Sequence, residues 1–433
     1  MVRRAEPRPR RSVLGGLRRL ERRPGEAPHR HVPPPGLTED SRVKVDDLVD
    51  AFRDRFGAEP GVIARAPGRA NLLGAHVDYS EGWVLPAAID RAVWVAARPA
   101  RGAETRLTAL DLGEEASFDV AAAAPPVSER RGPSSWVDYP RGLAWTLGRR
   151  GIEVPPIDAV FGGDLPIGAG VSSSAAVEMA FLVAWEHLAG FQLSGLDRAR
   201  IGRTVENDYV GVQSGIMDQF ASVHGREGHA LLLDCRSLQH ELIPTPEDLV
   251  FLVADTGVRR ALAAGTGFND RKSECFRAAD LLRPHLPALS TLRDLEPADL
   301  DRLRHVLEPP LDRRARHVAT ECRRVLDGAE ALRDGDLDRL GDLMARSHRS
   351  SRNDYDVSIE ELDVLQEAAA SAEGCYGARL TGAGFGGCVT AITSEAAAGH
   401  VREWTAAAFE RRFGRRPELH TCRVGTGAGI VTG

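Results

Sequence analysis

Hydrophobic and polar positions along the chain predict a mixture of strands and helices. Short apolar runs at 62–66, 92–96 and 159–161 are typical of buried strands. Apolar residues at helical spacing predict a first helix that ends at Phe56, and further helices over 174–189, 196–210, 271–284, 313–333 and 358–372. Early strands, later helices and a last strand pattern near 376–392 together predict an α+β fold in two lobes.

The first 41 residues differ from the rest of the chain. They are rich in arginine, proline and glycine, and they contain few apolar residues that a core could bury. We therefore predict a disordered Arg/Pro-rich tail over residues 1–41. Arg10 and Arg11 also fit the start of a twin-arginine signal, but no apolar stretch follows them, so we favour the flexible tail.

Composition limits the partners and the location that we expect. With 433 residues, 42% hydrophobic and 27% charged, the chain is typical of a soluble globular protein. Its net charge of −6 argues against nucleic acid or an anionic membrane as the main partner. The six cysteines have no Cys-x-x-Cys spacing, which favours free thiols in a reducing compartment. We expect a cytoplasmic protein without membrane spans, either a monomer or a weak homodimer.

A glycine-rich turn followed by serines occupies residues 164–178. Glycines let the backbone approach a ligand, and the unpaired N–H groups at a helix start bind phosphate oxygens. An ordinary strand, turn and serine-capped helix gives the same pattern, and the Gly-Lys-Ser/Thr ending of a P-loop is missing. The phosphate-binding hypothesis covers Gly168, Ala169, Gly170, Val171, Ser172, Ser173 and Ser174.

A second glycine-rich segment, residues 380–389, satisfies the dinucleotide pattern G-x-G-x-x-G. That motif requires a helix after its last glycine, whereas the residues that follow here have a strand pattern. We therefore reject a dinucleotide site and predict a glycine turn between two strands.

The third segment lies earliest in the chain, at residues 66–86. It crowds Arg69, His76 and Asp78 into a loop between two predicted strands. Singly, each of these residues is more often a surface residue or a helix cap. Clustered beside glycine and proline, they are typical of a binding loop.

In their chain order these segments resemble the GHMP kinase superfamily. Residues 68–79 are similar to the galactokinase signature G-R-x-N-L-I-G-E-H-x-D-Y, residues 168–174 to the superfamily's G-x-G-[L/V]-S-S-S, and residues 380–389 to its third motif. Residues 215–220 and 344–350 also agree. The resemblance implies a two-lobed α+β GHMP kinase fold with the active site in the cleft between the lobes. Its N-terminal domain would span residues 42–225 and its C-terminal domain residues 226–433.

The resemblance also implies roles in ATP-dependent phosphoryl transfer. Gly168–Ser174 would wrap the triphosphate, while Ser174 and Glu206 would hold Mg²⁺. Asp218 would accept or orient the attacking sugar hydroxyl, and Arg69 would neutralise charge on the transferred group. Phosphoryl transfer depends on such positioning and charge neutralisation.

The implied sugar site departs from the family at two positions. It consists of Ala75, His76, Asp78, Gly215 and Phe268. Galactokinases carry Glu where this chain has Ala75, and a sugar-contacting Tyr where it has Phe268. Losing these polar partners would leave galactose hydroxyls buried and unsatisfied, at about 1–3 kcal/mol each.

We therefore predict an anomeric (C1) kinase whose preferred sugar is modified or extended at C6. A seven- or eight-carbon aldose phosphate of a secondary-metabolite pathway is an example, and the octose 1-kinases of antibiotic biosynthesis are similar family members. Ordinary galactokinase is the alternative. A non-catalytic sugar and ATP sensor is a further alternative, which the intact run Ser174–Ala176 argues against.

Overall fold

The computed structural model describes residues 44–122, 134–166, 170–258 and 266–431, together with residues 126 and 129. The predicted tail therefore lies outside the described residues, as do Gly168 and Ala169 of the glycine-rich turn. The described residues all belong to one compact unit. Within the described ranges, no helix is long and apolar enough to cross a membrane.

Twelve strands are present in the described residues. They are β1 (Val62–Leu73), β2 (Trp83–Pro99), β3 (Glu104–Ala109), β4 (Glu114–Asp119), β5 (Ile157–Gly163), β6 (His229–Asp234), β7 (His240–Pro244), β8 (Leu249–Asp255), β9 (Cys375–Thr381), β10 (Cys388–Ser394), β11 (Glu418–Cys422) and β12 (Gly429–Ile430).

The strands form two sheets. In the eight-stranded sheet the order is β12-β1-β2-β5-β3-β4, and β6 also pairs with β2 and with β7. Only the β3–β5 pair of this sheet is parallel among the described strands. The four-stranded sheet has the order β11-β8-β10-β9 and is antiparallel throughout. Helices accompany both sheets, so the fold is α+β.

The described α-helices are α1 (Val45–Phe56), α2 (Asp138–Arg149), α3 (Ser173–Ala189), α4 (Gly195–Thr204), α5 (Met217–His224), α6 (Thr266–Leu282), α7 (Pro297–Arg302), α8 (Leu311–Arg333), α9 (Leu337–Asn353), α10 (Glu360–Ala370) and α11 (Glu395–Phe413). A π-helical turn, Val205–Val210, continues α4. Helix α3 is apolar on nearly all sides and is buried, as expected for a helix enclosed by other elements.

The hydrophobic patterns located about half of these elements. The predicted strands lie within β1, β2 and β5, and each predicted helix overlaps α1, α3, α4, α6, α8 or α10. The glycine turn predicted between two strands is confirmed, because residues 382–387 connect the antiparallel pair β9 and β10. The predicted domain boundary at residue 225 falls between α5 and β6 and stays a prediction.

Candidate active site

Arg69 and Asp218 form the centre of the site. Arg69 lies on β1 and is 3% exposed, whereas Asp218 lies in the first turn of α5 and keeps 28% of its side chain exposed. The guanidinium donates from Nε to Oδ1 and from Nη2 to Oδ2, both at 3.0 Å. This two-point contact fixes the plane of the carboxylate and leaves the aspartate as the accessible member of the pair.

The two glycine-rich segments meet beside this pair. Gly170 has a φ of 76°, and a Cβ built on it would lie 2.9 Å from the carbonyl oxygen of Thr381. Gly382 faces it with a φ of 82°, and its Cβ would lie 2.7 Å from the Cα of Gly170. Arg69 donates to the Gly170 carbonyl, and its own backbone N–H donates to Val171 O at 3.1 Å. The close approach requires glycine on both sides.

Helix α3 begins at the end of the first glycine-rich segment. Its N-cap Ser172 has left-handed backbone angles, and its side chain makes no capping hydrogen bond. The Ser172 Oγ is buried without a hydrogen-bond partner among the described residues. Ser172 therefore does not cap the first N–H groups of this helix. A helix start can bind phosphate oxygens through N–H groups that are not already paired.

Two hydroxyl groups and a carboxylate meet at the first turn of α3. Ser174 Oγ donates to Glu206 Oε1 at 2.9 Å, and Ser214 Oγ donates to the second oxygen of Glu206. Mg²⁺ is commonly held by one or two protein oxygens together with substrate phosphates. Ser174 and Glu206 fit that requirement, although no cluster of three or more His, Cys, Asp or Glu side chains suited to a metal occurs in the described ranges.

Several carboxyl groups surround Asp218. Burial and then the negative charge of Glu206 raise the pKa of Glu178 well above its usual value. Burial and the charge of Asp218 likewise raise the pKa of Glu206 and of Asp78, although hydrogen bonds from neighbours oppose the shift. The region around Asp218 is therefore rich in carboxyl oxygens. A divalent cation and Arg69 would supply the positive charge that balances them.

The sugar loop runs from Gly74 to Tyr79. His76 has a φ of 55° and is buried, and its Nδ1 lies 3.2 Å from Tyr79 Oη. Burial and then the neighbouring His317 lower the pKa of His76 to about 3, so the ring is neutral at pH 7. Phe268 closes one side of the loop, because its ring centroid lies 5.6 Å from that of His76 and 5.8 Å from that of Tyr79.

Asp78 is held against the start of α5. Its Oδ1 accepts from Tyr79 N at 3.0 Å, and Oδ2 lies where a Cβ on Gly215 would come within 1.9 Å. Gly215 is thus adjacent to Asp78 and three residues before Asp218. The two predicted sugar-binding residues and the predicted catalytic carboxylate belong to one cluster.

Gly215→Ala should raise the KM for the sugar at least about tenfold, because the added methyl group must displace the Asp78 carboxylate. Steady-state kinetics at saturating ATP would measure the change. Gly102→Ala is the control, because a Cβ at Gly102 would meet open space and its φ is not positive. Gly211→Ala would not serve as a control, because Gly211 has a positive φ. Gly102→Ala should leave the KM unchanged. An unchanged sugar KM in Gly215→Ala would contradict the assigned position of Asp78.

Glu321 of α8 holds the sugar loop from behind. It is completely buried, and its Oε1 accepts from Gly74 N at 2.8 Å, from Ala75 N at 3.2 Å and from Ser347 Oγ at 2.6 Å. Its Oε2 accepts from Arg324 Nε at 2.7 Å. The backbone conformation around Ala75 therefore depends on a carboxylate that is 246 residues away in the sequence.

Arg379 on β9 lies next to this network. It is completely buried, and its three guanidinium nitrogens have no hydrogen-bond partner among the described residues. Its nearest carboxylate oxygen, Glu321 Oε1, is 3.9 Å from Nη1. Burial lowers the pKa of Arg379 to about 10, and the positive charges of Arg324 and Arg69 contribute while Glu321 opposes them.

A cavity of about 350 Å³ extends from Ser173 and Ser174 to the turn between β3 and β4. Apolar and aromatic side chains line most of it, among them Leu112, Trp136, Tyr139, Phe161 and Leu165. Its size and lining suit a flat, mainly apolar ligand group. Sequence patterns did not reveal this cavity. Only its end at residues 165–177 belongs to a recognised motif, and the rest of its lining comes from β2, β3, β5, the turn after β3 and the residues around the start of α2.

The structure brings together most of the residues that the sequence pointed to. Arg69, Asp218, Asp78 and Gly215 form the central cluster, and His76, Ala75 and Phe268 form the adjoining loop. Gly170 to Ser174 and Glu206 lie together at the start of α3, where the sequence predicted phosphate binding. Gly168 and Ala169 lie outside the described residues. Glu321, Ser214 and the cavity residues other than Ser173 and Ser174 were not predicted as site residues.

A helix start without a serine cap, a hydroxyl–carboxylate pair and a carboxylate held by arginine are suited to phosphoryl transfer, the reaction that kinases perform. The chain matches three family models, described as the galactokinase galactose-binding signature (residues 50–99), the GHMP kinases N terminal domain (138–226) and the GHMP kinases C terminal domain (329–409). It is 41% identical to the galactokinase of Roseiflexus sp. (strain RS-1) over 385 residues, which cover 89% of this chain and 97% of that protein.

The galactokinase of Chloroflexus aurantiacus is also 41% identical, over 90% of this chain and 98% of its own length. The crystal structure of Lactococcus lactis galactokinase complexed with galactose superposes with a TM-score of 0.82 at 30% identity, covering 88% of this chain and 98% of that one. The mevalonate kinase of Methanococcus jannaschii shares the fold, with a TM-score of 0.57 at 18% identity over 84% of this chain and 98% of its own. The chain belongs to the galactokinase family of GHMP kinases, and it is a sugar kinase that uses ATP with Mg²⁺.

Proposed function

We propose that this protein is an ordinary galactokinase, which transfers the γ-phosphoryl group of ATP to the C1 hydroxyl of galactose. The observation that carries the proposal is the Arg69–Asp218 pair, which lies between the sugar loop and the start of α3. The similarity to galactokinases along nearly the whole chain supports galactose as the substrate. This replaces the longer sugar that the sequence analysis favoured.

In this proposal Asp218 orients the attacking hydroxyl and accepts its proton. An ordinary aspartate is too weak a base to deprotonate a sugar hydroxyl in the ground state. The proton therefore moves late, when the bond to the leaving group is largely broken and the hydroxyl has become acidic. Arg69 holds the Asp218 carboxylate in a fixed plane and places positive charge beside the transferred group.

The other end of the site binds the nucleotide. The N–H groups at the start of α3 receive phosphate oxygens, and Ser174 and Glu206 hold the metal ion. When bound, Mg²⁺ neutralises the charge that develops on the phosphate oxygens during transfer. Ser214 keeps the Glu206 carboxylate in place by donating to its second oxygen.

Glu206→Gln should raise the Mg²⁺ concentration for half-maximal activity at least about tenfold, because a charged oxygen ligand is lost. Activity would be measured across a Mg²⁺ titration after treatment with EDTA. Asp208→Asn is the matched control, since Asp208 lies on the same π-helical turn and is exposed. An unchanged Mg²⁺ requirement in Glu206→Gln, or activity without added metal, would show that the assigned ligand is wrong.

A second candidate is the predicted kinase for a C6-extended, acidic sugar, and Arg379 favours it. A buried guanidinium without a hydrogen-bond partner is costly unless an anion or water satisfies it. Arg379 lies next to the hydrogen-bond network that holds the backbone of Ala75. Galactokinases carry Glu at the position of Ala75. Against this candidate, Ala75 is only 3% exposed, so the smaller side chain does not leave an open channel for a longer substituent.

A panel of sugars tests both candidates. Galactose, galacturonate, galactose 6-phosphate and a seven-carbon aldose phosphate would be compared at saturating ATP and Mg²⁺, with loss of the reducing end as the sign of C1 phosphorylation. We expect galactose to be the best substrate, with a kcat/KM on the order of 10⁴ M⁻¹s⁻¹ or more. A tenfold preference for an acidic sugar, reversed by Ala75→Glu, would instead establish the second candidate. Binding of sugar and ATP without turnover would favour the sensor.

The predicted partners beyond sugar and ATP rest on composition. We predict no nucleic acid or membrane partner and a cytoplasmic location. We also predict that the protein is a monomer or a weak homodimer. Sedimentation of the purified protein across a concentration range would measure its oligomeric state.

A further inference from the structure

His76 of the sugar loop has a strained backbone conformation. Its φ of 55° lies in the left-handed region, which residues other than glycine rarely adopt. Gly74, two residues earlier, has a φ of 96°, which glycine adopts without a steric penalty. A strained residue keeps its conformation only where surrounding contacts hold it. The groups that hold the peptides on either side of Ala75 therefore decide where the His76 side chain lies.

Helix α8 supplies these contacts. Glu321 accepts from the backbone N–H groups of Gly74 and Ala75, at 2.8 Å and 3.2 Å. His317 lies one helical turn before Glu321, and its Nε2 lies 2.9 Å from the carbonyl oxygen of Ala75. Both side chains are completely buried. The helix therefore holds the loop on its N–H side through Glu321 and on its C=O side through His317.

His317 is a hydrogen-bond donor at Nε2. Burial lowers its pKa to about 4, so the ring is neutral at pH 7 and carries one N–H group. A carbonyl oxygen can only accept, so the contact with Ala75 requires the proton on Nε2. The other nitrogen, Nδ1, lies 3.0 Å from Ser350 Oγ. Of the two ring nitrogens, Nε2 is thus the one that reaches the sugar loop.

The Ala75 carbonyl bears directly on the backbone of His76. This carbonyl group and the nitrogen of His76 belong to one peptide plane, and the φ of His76 measures the rotation about the bond between that nitrogen and Cα. Without the N–H of His317, the plane can turn until φ reaches the ordinary negative range. The His76 ring would then leave its neighbours, Tyr79 Oη at 3.2 Å from Nδ1 and the Tyr355 ring at a centroid distance of 4.8 Å.

We propose that His317 is a positioning residue for the sugar site, which holds the Ala75 carbonyl and so keeps the His76 ring where it contacts the sugar. The inference rests on the proposed function, because it takes His76 as a sugar contact. Loss of the contact between His317 and Ala75 should weaken sugar binding at least about tenfold, equal to about 1.4 kcal/mol. The nucleotide site lies outside this contact, so its affinity should be retained.

Two variants separate the roles of the two ring nitrogens. The amide nitrogen of His317→Gln can take the place of Nε2, and the shorter side chain of His317→Asn can take the place of Nδ1. Each variant keeps one hydrogen bond and loses the other, and both lose the ring that packs on Tyr355 at a centroid distance of 4.4 Å. Only His317→Gln can still donate to Ala75. Galactose should therefore bind His317→Asn at least about tenfold more weakly than it binds His317→Gln.

Calorimetric titration would measure the Kd of galactose and, separately, the Kd of ADP with Mg²⁺. The Kd of ADP should agree within about twofold among the wild type and both variants, and kcat at saturating galactose within about threefold. His305→Asn is the matched control, because His305 is exposed in the short 3-10 turn before α8. It should keep the wild-type Kd for galactose. If His317→Asn does not fold, His317→Leu, which also lacks the donor, takes its place.

A role in stability alone would lower the Tm of both variants and leave their affinities for galactose equal, which would overturn the proposal. A loss of ADP affinity as large as the loss for galactose would also overturn it. Hydrogen exchange across residues 74–79 needs no sugar and should be faster in His317→Asn than in His317→Gln. If the wild type neither binds nor phosphorylates galactose but these exchange rates differ, the proposed function fails and the hold of His317 on the loop stands. If galactose is phosphorylated and the two variants bind it equally, the role of His317 fails alone.

Discussion

Asp218→Asn should lower kcat at least about 100-fold, while the Kd for ATP stays within about twofold of the wild type. The substitution keeps the size of the side chain but removes the charge that Arg69 holds by two hydrogen bonds and the group that receives the proton. In the proposed mechanism those interactions act on the reacting hydroxyl and not on the nucleotide. Turnover would be measured with saturating galactose, ATP and Mg²⁺, and ATP binding by calorimetry.

Arg69→Ala should have an effect of similar size, because it removes positive charge beside the transferred group and frees the Asp218 carboxylate. Asp338→Asn is the matched control. Asp338 lies in the first turn of α9, as Asp218 lies in the first turn of α5, but it is exposed to solvent. It should retain wild-type kcat. Near-normal turnover by Asp218→Asn would remove Asp218 from the mechanism, and a lost affinity for ATP would assign the residue to nucleotide binding instead.

Much of this centre could be predicted from sequence because it is built from local patterns. Glycine at 170 and 382 marks places where two backbones approach closely, and the run of serines marks the start of an apolar helix. The motif around Arg69 contributes its residues from one strand and the turn that follows it. Spacing along the chain could not show that these segments meet in space. The resemblance to a known family indicated that they do.

The cavity that begins at Ser173 and Ser174 could not be predicted in the same way. Strands β3 and β4 have six residues each and carry mixed polar sequences, so no hydrophobic pattern revealed them. Asp111 lies in the turn between them and reaches the cavity only because β3 pairs with β5. Five helices were also missed, namely α2, α5, α7, α9 and α11, although the family-like stretch at 344–350 lies within α9.

The choice of sugar shows the limit of reading one substitution. Galactokinases carry a carboxylate at the position of Ala75, and its loss predicted an opening for a longer sugar. In the structure the backbone of Ala75 is held by Glu321 and His317, and the residue is 3% exposed. A smaller side chain creates space only if its neighbours stay in place, and sequence does not report where they lie.

Glu321 is the clearest example of a residue that sequence placed on a helix without revealing its contacts. The pattern over 313–333 predicted the amphipathic helix α8, but not that Glu321 is completely buried against the sugar loop. Burial disfavours its ionised form, yet the charges of Arg324 and Arg379 outweigh burial and lower its pKa. Because the folded pKa lies below the unfolded value of 4.5, ionised Glu321 stabilises the fold above pH 4.5 and loses that contribution as the pH falls.

Glu321→Gln should therefore lower the free energy of unfolding at pH 7 by about 3–5 kcal/mol. A glutamine oxygen carries no charge, so Arg324 and Arg379 would remain buried without a counter-charge, and the Gly74 and Ala75 N–H groups would have a weaker acceptor. Urea unfolding followed by circular dichroism would measure the change.

Glu330→Gln is the matched control on the same helix, because 58% of the Glu330 side chain is exposed and its ion pair with Arg339 is long, at 3.4 Å. It should alter the free energy of unfolding by less than about 1 kcal/mol. The difference between the two variants should shrink as the pH is lowered below 4.5, because the unfolded chain then binds a proton at position 321 that the folded protein does not bind. Equal stabilities for both variants at pH 7 would mean that the buried network does not support the sugar loop energetically, and that Ala75 and its neighbours are held by packing alone.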